Sequence, residues 1–223
     1  MSSHPRRTVL IVTERDNFEK DRVLMESLRD SLQDTGYELF FYRSHQESIV
    51  RDLASQPWIQ RLPKWPRRLA KAACLLVRPN GWGYFLAWHK EESIGQRTAQ
   101  LKKFIKSFGA DVSVFILSRS AGGRISSLVA DELSVKKLIC LGYPFKHPQK
   151  PEEFGRTGHL KSLKTPFLII QGSSDEYGGR EVLGKYPVSE HVRIEFVDTD
   201  HDFQMPSQAW DQVIRRIKEF LAS

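Results

Sequence analysis

Val112-Ser-Val-Phe-Ile-Leu-Ser-Arg-Ser-Ala-Gly-Gly-Arg124 reads as a strand that breaks into a turn and then a helix. The apolar, β-branched run from Val112 to Leu117 has the composition of a buried strand, and Ile125, Leu128 and Val129 then share one helical face. Between them, Ser118 and Gly122 stand two positions either side of Ser120. A sharp strand-to-helix turn forces its central residue into a strained backbone conformation, so small neighbours at those two places are a steric requirement. The hydroxyl of Ser120 is thereby presented outward, and the amide groups of the following helix, Ala121 first, face any negative charge that develops beside it. An ordinary serine- and glycine-rich turn before a helix has the same composition. The rest of the chain decides between the two.

Working outward, Val9 to Val12 reads as a buried strand, and Leu24, Leu28 and Leu32 recur at helical spacing up to Gly36. Glu38 to Tyr42 is a second strand, and the stretch from Ser48 to Phe108 is mostly helical with interruptions near Pro63, Pro66, Pro79 and Gly81. After the central motif come strands at Lys137–Leu141, Phe167–Ile170 and Val192–Val197. A last helix carries Trp210, Val213, Ile214, Ile217 and Leu221 on one face. Near-continuous apolar strands alternating with helices predict a mostly parallel central sheet covered by helices on both faces. In such sheets chemistry collects at the carboxyl ends of the strands.

Two further strand ends carry titratable residues. Phe167–Ile170 leads into Gln171-Gly-Ser-Ser-Asp175, and Val192–Val197 leads into Asp198-Thr-Asp-His201. Ser120, then Asp175, then His201, each just past a strand, is the chain order of the α/β-hydrolase fold, with serine as nucleophile, aspartate as acid and histidine as base. Asp175 taken alone reads equally as a turn carboxylate, and His201 as one of seven histidines on a surface loop; their order and placement favour the joint reading. The fold expected is therefore an α/β-hydrolase domain without a large cap, spanning residues 1–223 as one domain.

Ser118 to Arg124, the strand end Leu141-Gly-Tyr-Pro144, Arg156-Thr-Gly-His-Leu160 and Gln171 to Asp175 together resemble small α/β hydrolases related to dienelactone hydrolase. The similarity is greatest to the branch shared by a subunit of the NSL histone-acetyltransferase complex and its short testis-expressed relative, and it runs from Val9 to the C-terminus. It implies Ser120 as nucleophile, Asp175 as acid and His201 as base, and names no substrate. The sequence departs from the pattern after the first strand. Such families carry a His-Gly-rich loop there that supplies half of the oxyanion hole, whereas this chain has Thr13-Glu-Arg-Asp16. Ala121 N–H remains as one donor, and the second falls to the backbone of Glu14 or Arg15. Loss of one such donor costs about 2.7–4 kcal/mol of transition-state stabilisation.

The 223 residues and 40% hydrophobic content suffice for a sizeable core. A formal charge of +7 without a nucleic-acid motif reads as a basic surface, so no nucleic-acid partner is expected. No apolar run is long enough to span a bilayer. Two cysteines, Cys74 and Cys140, make no disulfide framework, which together with the polar N-terminus predicts a cytoplasmic protein. No cofactor is expected: His147 and His159 lack metal-ligand companions at short spacing, and Gly122-Gly123 lacks the lysine of a phosphate loop. The segment 58–90 mixes Trp58, Trp65, Trp82, Tyr84, Phe85 and Trp88 with arginines and lysines. It reads as a helical insertion packing its aromatics on the core; a pocket wall, a lid or a membrane-surface patch are the alternatives. The functional expectation is a serine hydrolase acting on a small-molecule acyl bond. Its rival is an interaction module that keeps the fold without the chemistry.

Overall fold

The computed structural model describes residues 7–13, 26, 28–32, 35–44, 53, 55–77 and 93–223. Six strands form one sheet: β1 (Thr8–Thr13), β2 (Glu38–Tyr42), β3 (Ser113–Arg119), β4 (Lys137–Leu141), β5 (Phe167–Gly172) and β6 (Val192–Val197). Their order is β2-β1-β3-β4-β5-β6, and every pairing is parallel. This is the α/β architecture expected from the alternating pattern.

Because successive side chains of a strand point to opposite faces, each apolar strand supplies two cores. Val9, Ile11, Val114, Ile116, Leu138, Cys140, Phe167 and Ile169 face one side. There they meet Leu101 and Ile105 of helix α3 (Ile94–Lys106) and Ile125 and Val129 of helix α4 (Ala121–Val129). Leu10, Val12, Leu117, Ile139, Leu141, Leu168 and Ile170 face the other, against Leu28, Leu32 and the C-terminal helix (Ser207–Ala222) through Val213, Ile217 and Leu221. Burying a side chain of this size contributes about 1.5–3 kcal/mol, so the two faces together hold the sheet.

The chain resolves into two compact units, residues 1–42 with 101–223, and residues 43–100. In the second unit, α1 (Pro57–Gln60) buries Ile59 and ends on the guanidinium of Arg67, which donates to the Leu62 and Gln60 carbonyls at 2.9 and 2.7 Å. The next helix, α2 (Lys64–Val77), runs through Pro66 instead of breaking there. Proline is tolerated in a first helical turn, where its missing N–H would have had no partner. Ser93 and Gln96 cap α3 reciprocally, with side-chain to backbone bonds of 3.2 and 2.9 Å. Trp58 and Trp65 are exposed, so the expectation that the segment packs its aromatics inward fails for these two. Trp82, Tyr84, Phe85 and Trp88 lie outside the described residues.

The closest packing around the central turn is at Gly123, where a Cβ would overlap the Cys140 Sγ and approach its Cβ to 3.0 Å. Gly123→Ala is expected to cost about 1–3 kcal/mol by overpacking. Cys140→Ala in the same chain should recover most of that loss, because the sulfur is the main obstacle. Urea denaturation of the four proteins measures the coupling, and an additive pair would contradict this packing.

Helix α4 is also tied to the chain after β4, where the Ser127 hydroxyl meets His159 Nε2 at 2.8 Å. Burial, and then the charge of Arg124, press the His159 pKa from 6.5 down to about 4. Between those values the unfolded chain binds a proton that the folded chain refuses. Stability attributable to this residue is therefore complete above about pH 6.5 and declines as pH falls towards 4. His159→Gln should flatten the dependence of Tm on pH within that window; an unchanged slope would contradict a buried neutral imidazole.

Candidate functional site

β1 and β3 are neighbours although β2 lies between them in sequence, so the direction of winding reverses there. Ligands of open parallel sheets bind at the carboxyl ends of strands beside such a reversal. Ser120 sits at that place. β3 continues two residues past the expected Leu117 to Arg119, and α4 starts at Ala121, so Ser120 alone makes the turn. Its backbone has φ 48° and ψ −120°, a conformation that costs a non-glycine residue about 1–3 kcal/mol. The flanking bonds hold it: Ser120 N–H donates to the Leu141 carbonyl at 3.0 Å, and Gly123 N–H to the Ser120 carbonyl at 2.9 Å. Ser118 turns its hydroxyl onto the Ile139 carbonyl at 2.6 Å.

A serine at a helix N-cap ordinarily accepts from the first-turn amides. Ser120 makes no such cap bond, and its Oγ lies 2.8 Å from His201 Nε2. The other ring nitrogen, Nδ1, is 2.8 Å from Asp175 Oδ2. All three side chains are buried. Asp175 is held in turn by Tyr177 N–H on Oδ1 at 2.7 Å and by Gln171 Nε2 on Oδ2 at 2.8 Å. Gln171, fully buried, also accepts from Tyr143 N–H at 2.8 Å and donates to the Gly178 carbonyl at 2.8 Å. The Tyr177 ring leans on the imidazole with centroids 4.3 Å apart. Ala121 N–H belongs to the first turn of α4, where helix amides have no intrahelical acceptor. Glu14 and Arg15, the other oxyanion candidates, lie outside the described residues.

Sequence reasoning missed the residues that fix this geometry. Arg119 is a charged residue in a surface-like turn motif, yet it is fully buried. Its Nη1 donates to the Leu141 carbonyl at 2.9 Å, its Nη2 donates to the His201 carbonyl, and its guanidinium lies 4.8 Å from the Phe203 ring centroid. Phe203 adopts φ 55°, which for a bulky residue marks a constrained turn. Gly142 has φ 64°, and a Cβ there would meet Arg119 Nη1 at 2.5 Å, so glycine is needed on both counts. The legible signal was a lone arginine at the end of an apolar strand. Arg119→Met leaves the His201 carbonyl without this donor and is expected to cost about 1–3 kcal/mol in chemical denaturation, with Arg119→Lys recovering part. A neutral Arg119→Met would remove Arg119 as the tether of the histidine loop.

His147 and His159, the histidines weighed as ligands, are engaged locally, with Gln149 N–H and with Ser127. Among the described residues no group of three or more His, Cys, Asp or Glu side chains is placed to hold a metal ion.

A parallel sheet covered on both faces, with a strained serine at a strand end and an imidazole and carboxylate in line behind it, defines the α/β-hydrolase class. The chain belongs to the alpha/beta hydrolase domain family, whose model matches residues 90–222. Solved structures agree at the level of fold. A monoacylglycerol lipase from Paleococcus ferrophilus is 11% identical with TM-score 0.58, the match covering 97% of this chain and 95% of that one. An alpha-beta serine hydrolase homologue from Coxiella burnetii is 13% identical with TM-score 0.56, over 99% and 85%. An alpha/beta hydrolase from a lagoon-sediment metagenome of Mar Chica, Morocco, is 16% identical with TM-score 0.58, over 97% and 93%.

Proposed function

We propose that the chain is a serine hydrolase that cleaves an ester, thioester or similar acyl bond, with Ser120 as nucleophile, His201 as base and Asp175 as its orienting acid. The observation that carries this is the unbroken line of contacts from Asp175 Oδ2 through both His201 nitrogens to Ser120 Oγ, each 2.8 Å. In this reading His201 Nε2 takes the Ser120 proton as Oγ bonds to the acyl carbon, and the carbonyl oxygen becomes an oxyanion facing Ala121 N–H. As the tetrahedral species collapses, the bond to the leaving group breaks and His201 returns the proton to it. Water then repeats the cycle on the acyl-serine. Asp175 holds the tautomer in which Nδ1 carries the hydrogen, leaving Nε2 free to accept.

The second oxyanion donor is assigned to the backbone of Glu14 or Arg15, which follow in sequence Thr13, the β1 residue in register with Ser118. The lipase and hydrolase neighbours support acyl-bond cleavage. The same reading treats the chain as one catalytic domain with residues 58–90 inserted, and places it in the cytoplasm, for which the free thiols of Cys74 and Cys140 give support. No helix among the described residues is long and apolar enough to cross a membrane. A glycine-free loop after β1 favours the rival, a fold retained for binding alone. Turnover of short-chain p-nitrophenyl esters by the purified chain separates them. Slow but enzyme-dependent release of nitrophenol is expected, and release no faster than with heat-denatured chain would favour the binding module.

A further inference from the structure

Away from Ser120, buried charge concentrates where α4 meets the segment following β4. Arg124, one turn into α4, and Arg156, the last residue of the 3-10 turn Phe154–Arg156, both reach Glu153. Arg124 Nη1 lies 3.4 Å from Glu153 Oε2, and Arg156 Nη2 lies 3.0 Å from Oε1. The two arginine side chains are only 12% and 13% exposed, whereas Glu153 is 43% exposed. Among the described residues, neither arginine Nε has a hydrogen-bond partner. The Tyr143 hydroxyl fixes the Arg156 backbone by donating to its carbonyl at 2.6 Å.

Two covered cations therefore share one half-exposed carboxylate, and His159 beside them is neutral near pH 7. Burial first, and then the charge of Arg156, lower the Arg124 pKa, so the pair is electrostatically under-compensated. Each guanidinium offers five donors in a planar fork suited to carboxylate and phosphate oxygens. Phe154, strongly exposed, follows Glu153 in sequence and has the Lys161 ammonium 6.0 Å from its ring.

We propose that Arg124 and Arg156 form a receptor for a small oxyanion, a carboxylate or phosphate group, with Glu153 as an internal stand-in that the ligand displaces. The loose 3.4 Å contact and the exposure of Glu153 suit a group that leaves; the covered, pre-placed guanidiniums suit a group that receives. The receptor stands whatever the role of Ser120. Arg124 follows Ser120 by four residues, about 6 Å along the helix axis, so the anion is either the charged end of a substrate held at Ser120 or a separate small ion.

Thermal unfolding of the full chain in sodium phosphate against sodium chloride of equal ionic strength tests this. Phosphate is expected to raise Tm by roughly 3 °C beyond chloride near saturation. Glu153→Gln, which removes the competitor, should lower the half-saturating phosphate concentration several-fold. Arg124→Gln and Arg156→Gln should each abolish the phosphate-specific part. Should the arginine variants fail to fold, Glu153→Gln decides alone: an unchanged or higher half-saturation overturns the proposal, as does a phosphate response no larger than chloride's. A kinetic arm identifies the source. Preference for p-nitrophenyl hemisuccinate over the neutral butyrate, lost in Arg156→Gln, assigns the anion to the substrate; equal use of both esters alongside phosphate-specific stabilisation assigns it to a separate ion.

Discussion

Ser120→Ala should lower ester turnover by roughly 10⁴- to 10⁶-fold while leaving the chain folded. The large effect follows from losing the atom that attacks the acyl carbon first in the proposed reaction; His201 then has no serine proton to take. The small structural effect follows from the geometry. The Ser120 hydroxyl makes no cap bond within α4, and alanine meets the same backbone strain at φ 48°. Turnover of p-nitrophenyl esters and Tm are measured on the same preparation. Equal turnover by the two proteins would show that another group attacks the ester, whatever the fold.

Asp175→Asn is the second large effect expected, about 10⁴-fold in turnover. Three donors converge on the carboxylate: Tyr177 N–H, the Gln171 amide and the imidazole Nδ1–H. Asparagine offers one oxygen and one NH2 in their place. If the oxygen faces Tyr177, the NH2 donates to His201 Nδ1 and leaves the hydrogen on Nε2, where it confronts Ser120 instead of accepting from it. If the oxygen faces the imidazole, the NH2 opposes Tyr177 N–H. Either way a buried donor loses its acceptor, which costs about 1–3 kcal/mol of stability as well. A variant retaining more than a tenth of wild-type turnover would show that the tautomer is not set by this contact.

Much of this arrangement was legible beforehand because apolar periodicity and strand-end position are local properties. The six strands, the placement of Ser120, Asp175 and His201 past three of them, and the covering helices all follow from such patterns. Other features depend on partners distant in sequence. Arg119 reads as a surface charge until the Leu141 and His201 carbonyls and the Phe203 ring converge on it. Gln171 reads as the first polar residue past a strand until Asp175, Tyr143 and Gly178 are arranged around its amide. The need for the second glycine of Gly122-Gly123 depends on Cys140, which reaches it from the neighbouring strand β4. Pro66 reads as a helix break, but its place in the first turn of α2 lets the helix run through it. Trp58 and Trp65 show the reverse case: hydrophobicity alone points large aromatics inward, and these two are exposed.

Labelling with a fluorophosphonate probe, followed by peptide mass spectrometry, tests the central claim most directly because it needs no knowledge of the substrate. Activated serines react with phosphorus at the nucleophilic oxygen, and ordinary hydroxyls do not. One label per chain on Ser120 is expected, absent from heat-denatured protein. A folded chain that takes up no label, or takes it elsewhere, would contradict the assignment of Ser120, His201 and Asp175 as a working relay.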